Sequence, residues 1–313
     1  MKLIFAGSPE IAVPSLAAVA DSFDICAVLT NPARKSGRGK RMVLTPVQIK
    51  AEELGIPILQ PERLDYDFRS EITELKPDLL VVVAYGKIFG PKFLALFPMG
   101  GINLHPSLLP RYRGPAPIPA AILSGDIETG ITIQRIAREM DSGMIMSQSK
   151  MAITDSDTTG QLTTKAAKQG AELLLTVLQQ LAEDRSTPHV QNEKKATYCR
   201  LIEKGDGKID WQSTALHISR MVRAYDPWPT AFTLYNDKFL SILKAHVYRK
   251  REFFADVFPG RVAGVDKAEG ILIQTKSGIL AVEELQLQSR KALGWKAFVN
   301  GAADFVGSML GGE

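Results

Sequence analysis

Two polar side chains of complementary chemistry stand two apart at the end of a short apolar run: Asn103 and His105, within Gly101–Ile118, GINLHPSLLPRYRGPAPI. In a strand, residues i and i+2 point to the same face, so an amide and an imidazole would project together. An amide N–H can donate to an oxyanion. An imidazole, with an unperturbed pKa of about 6.5, can move a proton near neutrality. Beyond His105 the chain is broken by Pro106, Pro110, Pro115 and Pro117, which forbid a helix or a central strand through most of the segment. Arg111 and Arg113 lie among them, and Gly114 allows backbone to approach a ligand closely. A strand ending in Asn and His and spilling into a rigid basic loop suits an active site at the carboxyl edge of an open sheet. An isolated Asn-x-His is more often a packed or solvated histidine, so the pair alone decides little.

The whole string is more specific. N-x-H-x-S-L-L-P-x-x-R-G, over Asn103–Gly114, resembles the active-site signature of the folate-dependent formyltransferases, with Pro106 where several members carry Gly. FAGSPE at Phe5–Glu10, VVVAYG at Val81–Gly86, IDW at Ile209–Trp211 and DPWP at Asp226–Pro229 carry the resemblance over nearly the entire chain. It implies direct transfer of a formyl group from 10-formyltetrahydrofolate to an amine, Asn103 donating to the tetrahedral oxyanion and His105 relaying a proton. It also implies a third catalytic position at Asp141, in Asp141-Ser142-Gly143 between two expected strands. By itself, Asp before a glycine is usually a turn residue. Asp141 would orient His105, directly or through water, holding its tautomer and stabilising its charged form. Ser107, Leu108, Leu109 and Pro110 match the segment that contacts tetrahydrofolate, mostly with backbone groups and apolar surface. Direct attack by an amine requires no serine nucleophile. No metal is expected either, because four histidines and two cysteines show no ligand spacing.

Such a site needs an open sheet beneath it, and the first half of the chain reads as one. Leu3–Ala6, Ile25–Leu29, Leu79–Ala84 and Gly101–Leu104 are apolar runs of strand length, with Ile56–Leu59 extended. Helical patterns at Ile11–Ala20, Pro46–Leu54 and Phe68–Leu75 alternate with them. That alternation predicts βαβ units and an α/β, Rossmann-like, doubly wound, mostly parallel sheet. The first turn, Gly7-Ser8-Pro9, lacks the second glycine of a dinucleotide-binding fingerprint, which argues against a nicotinamide cofactor. Ile118–Leu123 reads as helix, Gly130–Ile136 and Ile145–Ile153 as strands, and Thr158–Ala182 as a long helix.

Polar residues dominate around Glu183–Gly207, which predicts a catalytic domain over 1–188, a linker over 189–207 and a second domain over 208–313. In the second, a helix at Thr214–Ala224 precedes short strands at Thr230–Tyr235, Leu240–Tyr248, Gly260–Val265, Gly270–Thr275 and Gly278–Leu287, then a helix near Gly294–Asn300. About five short strands suggest a small β-barrel; the resemblance implies an OB-like domain that binds tRNA.

With 45% apolar residues and mean hydropathy of −0.02, the composition suits a globular protein with ample core. Only Cys26 and Cys199 are present, too few for a disulfide framework. A reducing cytoplasm, no membrane span and a monomer are the expectations. Net charge +4 and pI near 8.9 permit an anionic partner without requiring one. The charge is concentrated in Asn31–Thr45, NPARKSGRGKRMVLT, where Arg34, Lys35, Arg38, Lys40 and Arg41 occur with no acid between them. A charge run is usually a solvated loop. This one follows a strand at the carboxyl edge of the sheet and resembles the family's basic loop that enters a tRNA acceptor stem. The resemblance therefore implies methionyl initiator tRNA as acceptor. The competing readings are a formyltransferase acting on an amino sugar or other small amine, and an RNA-binding protein that has lost catalysis.

Overall fold

Leu3–Ala6 and Leu79–Val83 are buried along their whole length, which a strand achieves only when helices cover both faces of its sheet. The computed structural model describes residues 1–36, 41–250, 258–302 and 304–311. Its first strands are β1 (Lys2–Gly7), β2 (Asp24–Leu29), β3 (Arg34–Ser36), β4 (Arg41–Val43), β5 (Ile58–Leu59), β6 (Leu79–Val83), β7 (Gly101–His105), β8 (Glu128–Arg135) and β9 (Ile145–Ala152). Among the described residues, seven of these form one sheet in the order β5-β2-β1-β6-β7-β8-β9. Pairing is parallel from β5 to β7 and antiparallel from β7 to β9. From β1 the chain builds outward through β2 to β5, then returns to β6 and builds the other way. The switch therefore falls between β1 and β6, next to β7, where open sheets bind ligands.

The helices are α1 (Val13–Ser22), α2 (Pro46–Glu53), α3 (Tyr66–Leu75), α4 (Pro91–Leu94), α5 (Pro117–Ser124) and α6 (Thr159–Ala182). Thr45 caps α2 by accepting from the Gln48 N–H at 3.0 Å, with Pro46 in the first turn, and Asp65 caps α3 from Phe68 at 3.2 Å. Leu162, Ala166, Gly170, Leu174, Val177 and Leu181 give α6 its buried stripe. At Gly170 a Cβ would stand 2.7 Å from Leu104 Cδ1, so glycine lets α6 press against β7. Leu104 points away from Asn103 and His105, so this packing supports β7 from the face opposite the two polar residues.

The chain falls into two compact units. One holds Met1–Pro117, Glu128–Ala152 and Leu162–Cys199; the other holds Ile118–Ile127, Ile153–Gln161 and Arg200–Glu313. The second unit contains α7 (Ala215–Ala224), β10 (Ala231–Tyr235), β11 (Lys238–Val247), β12 (Val262–Asp266), β13 (Gly270–Gln274), β14 (Ile279–Leu287), β15 (Leu293–Gly294) and α8 (Trp295–Gly301). Its six-stranded sheet is antiparallel in the order β10-β11-β14-β13-β12, with β15 beside β14. The end of the chain bridges the two outer strands. Met309 pairs with Arg261 just before β12, and the Gly311 N–H donates to Leu234 O of β10 at 2.9 Å. That bridge curls the sheet toward a barrel. Phe305 is fully buried, edge-on to Tyr235 and Phe298 with centroids 4.9 Å from each. Among the described residues, no helix is long and apolar enough to cross a membrane.

Candidate active site

Strand register assembles the site. On β7, Asn103 lies opposite Gln134 of β8 and His105 opposite Thr132, while Thr132 lies opposite Gln148 of β9. Directly paired residues share a face, so one sheet face carries a row of polar side chains. Gln134 and Thr132 are buried, and Asn103 is half-buried.

Thr132 and Gln148 fasten the proline-rich loop. Thr132 Oγ1 donates to Ser107 O at 2.7 Å and accepts from the Leu109 N–H at 3.1 Å. Gln148 Nε2 donates to Thr132 Oγ1 at 2.8 Å and to Leu109 O at 2.9 Å. Ser107 Oγ donates to Arg111 O at 2.7 Å. Several backbone groups expected to meet folate are thus engaged by the protein itself. The apolar side chains of Leu108 and Pro110, both half-buried, are the surface that this segment presents.

His105 is 4% exposed. Its Nε2 is 2.9 Å from Tyr112 O. A carbonyl only accepts, so Nε2 carries the hydrogen and Nδ1 is the basic nitrogen. Nδ1 faces Asp141 Oδ1 at 3.6 Å, beyond hydrogen-bond length but close enough for strong charge interaction. The tautomer is therefore set by Tyr112, not by Asp141 as the sequence suggested. The carboxylate stands ready to balance an imidazolium. Burial pushes the His105 pKa below its usual value, while Asp141 and the Tyr112 carbonyl pull it back up. Asp141 is itself aimed, accepting from Gln134 Nε2 at Oδ1 and from the Gly114 N–H at Oδ2, each at 2.8 Å. Gly114 adopts φ 115°, and a Cβ there would lie 2.2 Å from Cys199 O. Only glycine lets that amide reach Asp141.

The loop's two arginines differ: Arg111 is exposed, its Nη2 donating to Tyr112 Oη at 2.9 Å. Arg113 is 1% exposed, turned inward onto Gln191 and Glu193. Thr132, Gln134, Gln148 and Gln191 join the site from outside the sequence motifs. A signal existed for the first two, polar residues alternating within the apolar GITIQRI. None marked Gln191.

The basic segment takes a form that its sequence did not suggest: β3 pairs antiparallel with β4, matching Arg34 with Val43 and Lys35 with Met42. Its base is anchored beside the switch point. Ser8 Oγ accepts from the Asn31 N–H at 3.1 Å and from Asn31 Nδ2 at 2.9 Å, and Asn31 Nδ2 also donates to Tyr85 O at 2.7 Å. Arg34 is exposed, Lys35 and Arg41 lie on the paired strands, and Arg38 and Lys40 fall outside the described residues. Among the described residues, no group of three or more His, Cys, Asp or Glu is arranged to hold a metal ion.

A helix-covered open sheet with a buried imidazole facing a half-buried carboxylate at its carboxyl edge defines an α/β enzyme. The chain belongs to the formyl transferase family: residues 2–178 match its formyl transferase domain and residues 201–303 its C-terminal domain. It is 47% identical over 316 residues to a methionyl-tRNA formyltransferase of Treponema denticola, covering 98% of each chain. It is 42% identical to one of Roseiflexus castenholzii, covering 100% of this chain and 99% of that one. The fold is shared with the N-formyltransferase of Helicobacter canadensis, solved with folinic acid and dTDP-3-aminofucose. That likeness has a TM-score of 0.67 at 23% identity, over 90% of this chain and 99% of that one.

Proposed function

We propose that the protein transfers the formyl group of 10-formyltetrahydrofolate to the amino group of methionyl initiator tRNA. One observation carries the chemistry: His105 Nδ1 lies 3.6 Å from Asp141, on a strand face that also presents Asn103. The name of the full-length relatives supports the acceptor. As the acceptor nitrogen bonds to the formyl carbon, Asn103 donates to the developing oxyanion. His105 Nδ1 takes the proton that this nitrogen must lose, and Asp141 balances the imidazolium. The proton then returns to the folate nitrogen as its bond to the formyl carbon breaks, so none is gained or lost.

Leu108 and Pro110, with the backbone of Ser107 and Leu109 holding them in place, form the apolar surface for the folate. Arg34, Lys35, Arg38, Lys40 and Arg41 engage the acceptor end of the tRNA, and the C-terminal domain over 208–313 adds RNA affinity. The protein works in the cytoplasm as a monomer. The test supplies 10-formyltetrahydrofolate with methionyl initiator tRNA, elongator tRNA or an amino sugar as acceptor. Formyl transfer favouring initiator tRNA is expected; preference for the sugar would replace this acceptor, and no transfer to any would remove the enzyme.

A further inference from the structure

Asp141 is held by more than the bonds to its carboxylate. Its φ is 52°, in the left-handed region that a side chain disfavours, so its surroundings must keep it there. The restraint comes from the segment between the two family domains. Gln191, 4% exposed, donates through Nε2 to Asp141 O and Gly143 O, both at 2.8 Å. Gln191 Oε1 accepts from Arg113 Nε at 3.1 Å and from Nη2 at 2.8 Å. A flipped amide would set donor against guanidinium and carbonyl against carbonyl, so this orientation is dictated.

Arg113 is in turn locked. Its Nη1 and Nη2 fork onto Glu193 at 2.9 and 2.6 Å. Its backbone pairs with the same segment, donating to Thr197 O at 2.9 Å and accepting from the Cys199 N–H at 2.8 Å. The N–H of Tyr112, whose carbonyl orients His105, donates to Thr197 Oγ1 at 2.9 Å. Residues 191–199 thus brace both members of the imidazole–carboxylate pair.

We propose that Gln191 is a positioning residue for formyl transfer: by gripping the main chain on either side of Ser142, it aims the Asp141 carboxylate at His105. This rests on the roles proposed above for Asp141 and His105. Misplacing a reacting group by about 1 Å can cost on the order of 100-fold in rate. Gln191→Ala and Gln191→Met, the second keeping most of the buried volume, should each lower kcat by roughly 10–100-fold. KM for the folate and for the tRNA should change by less than about twofold, because the effect is felt at the transition state. In an Asp141→Asn background, either substitution should cost at most about twofold more, since the two residues act as one unit.

The experiment is steady-state kinetics on the full chain with the single and double variants. Wild-type kcat in Gln191→Met, or losses that multiply with Asp141→Asn, would overturn the inference while leaving the catalytic reading intact. Undiminished kcat in Asp141→Asn alone would overturn both.

Discussion

Asn103 is useful only while negative charge develops on the formyl oxygen, so its removal should be felt in turnover. Asn103→Ala should reduce kcat by about 10²–10³-fold with folate and tRNA affinities little changed. Steady-state kinetics with equilibrium binding separates the two, and lost folate binding at intact kcat would sink the role. His105 gives a pH signature. As proton acceptor it works in the neutral form, so activity falls as pH drops through its pKa. Burial places that pKa below the usual value, and Asp141 opposes burial by favouring the imidazolium. Asp141→Asn removes the opposing charge, so the acid limb of kcat should move to lower pH while the plateau falls. A limb that moved upward would contradict the assignment of His105 as base.

At the scale of elements, β8 supports the site, and the basic segment that includes β3 and β4 is proposed to select the acceptor. Thr132, fully buried, links β8 to both ends of the Ser107–Leu109 segment through one hydroxyl. Thr132→Val keeps the shape but leaves backbone groups without a partner, each such loss costing about 1–3 kcal/mol. Urea denaturation should show a stability loss of at least that order, and the KM for folate should rise. An unchanged midpoint and KM would mean that water or neighbouring groups replace the hydroxyl. Within the basic sequence Asn31–Thr45, arginine can read base edges and phosphates with its fork, whereas lysine acts as a point charge. Arg38→Ala should narrow the preference for initiator over elongator tRNA. Lys40→Ala should instead weaken both tRNAs and flatten the salt dependence by roughly 0.7–0.9 in log–log slope. Kinetics for both tRNAs across a salt series checks this, and three identical proteins would mean that the loop is merely solvated.

Over the whole molecule, compact units do not follow chain order. Ile118–Ile127 and Ile153–Gln161 lie early in the sequence yet belong to the unit completed by Arg200–Glu313. A chain ended after Cys199 would therefore carry two pieces of a unit whose body is missing. Ala121 and Ile122, fully buried in the intact protein, are among the apolar groups at stake. The shortened chain should bind more of a hydrophobic dye and unfold at lower urea than the full chain. Equal dye binding with an unchanged first transition would show that residues 1–199 need nothing beyond them.

Much of this was legible from residue order because its causes are local. Unbroken apolar runs specify covered strands, prolines and glycines mark where they stop, and the period of two set Asn103 and His105 on one face. The motif string extended that reading to Asp141, which does lie beside His105. What local pattern could not reveal is which distant groups meet. The tautomer of His105 depends on a carbonyl at Tyr112, the aim of Asp141 on Gly114 and Gln134, and the inward turn of Arg113 on Gln191 and Glu193. A glutamine in a polar linker looks the same whether solvated or buried with every polar atom engaged. Its role is decided by strand register and chain crossings, which bring groups far apart in sequence within hydrogen-bond reach and remove the water that would otherwise satisfy them.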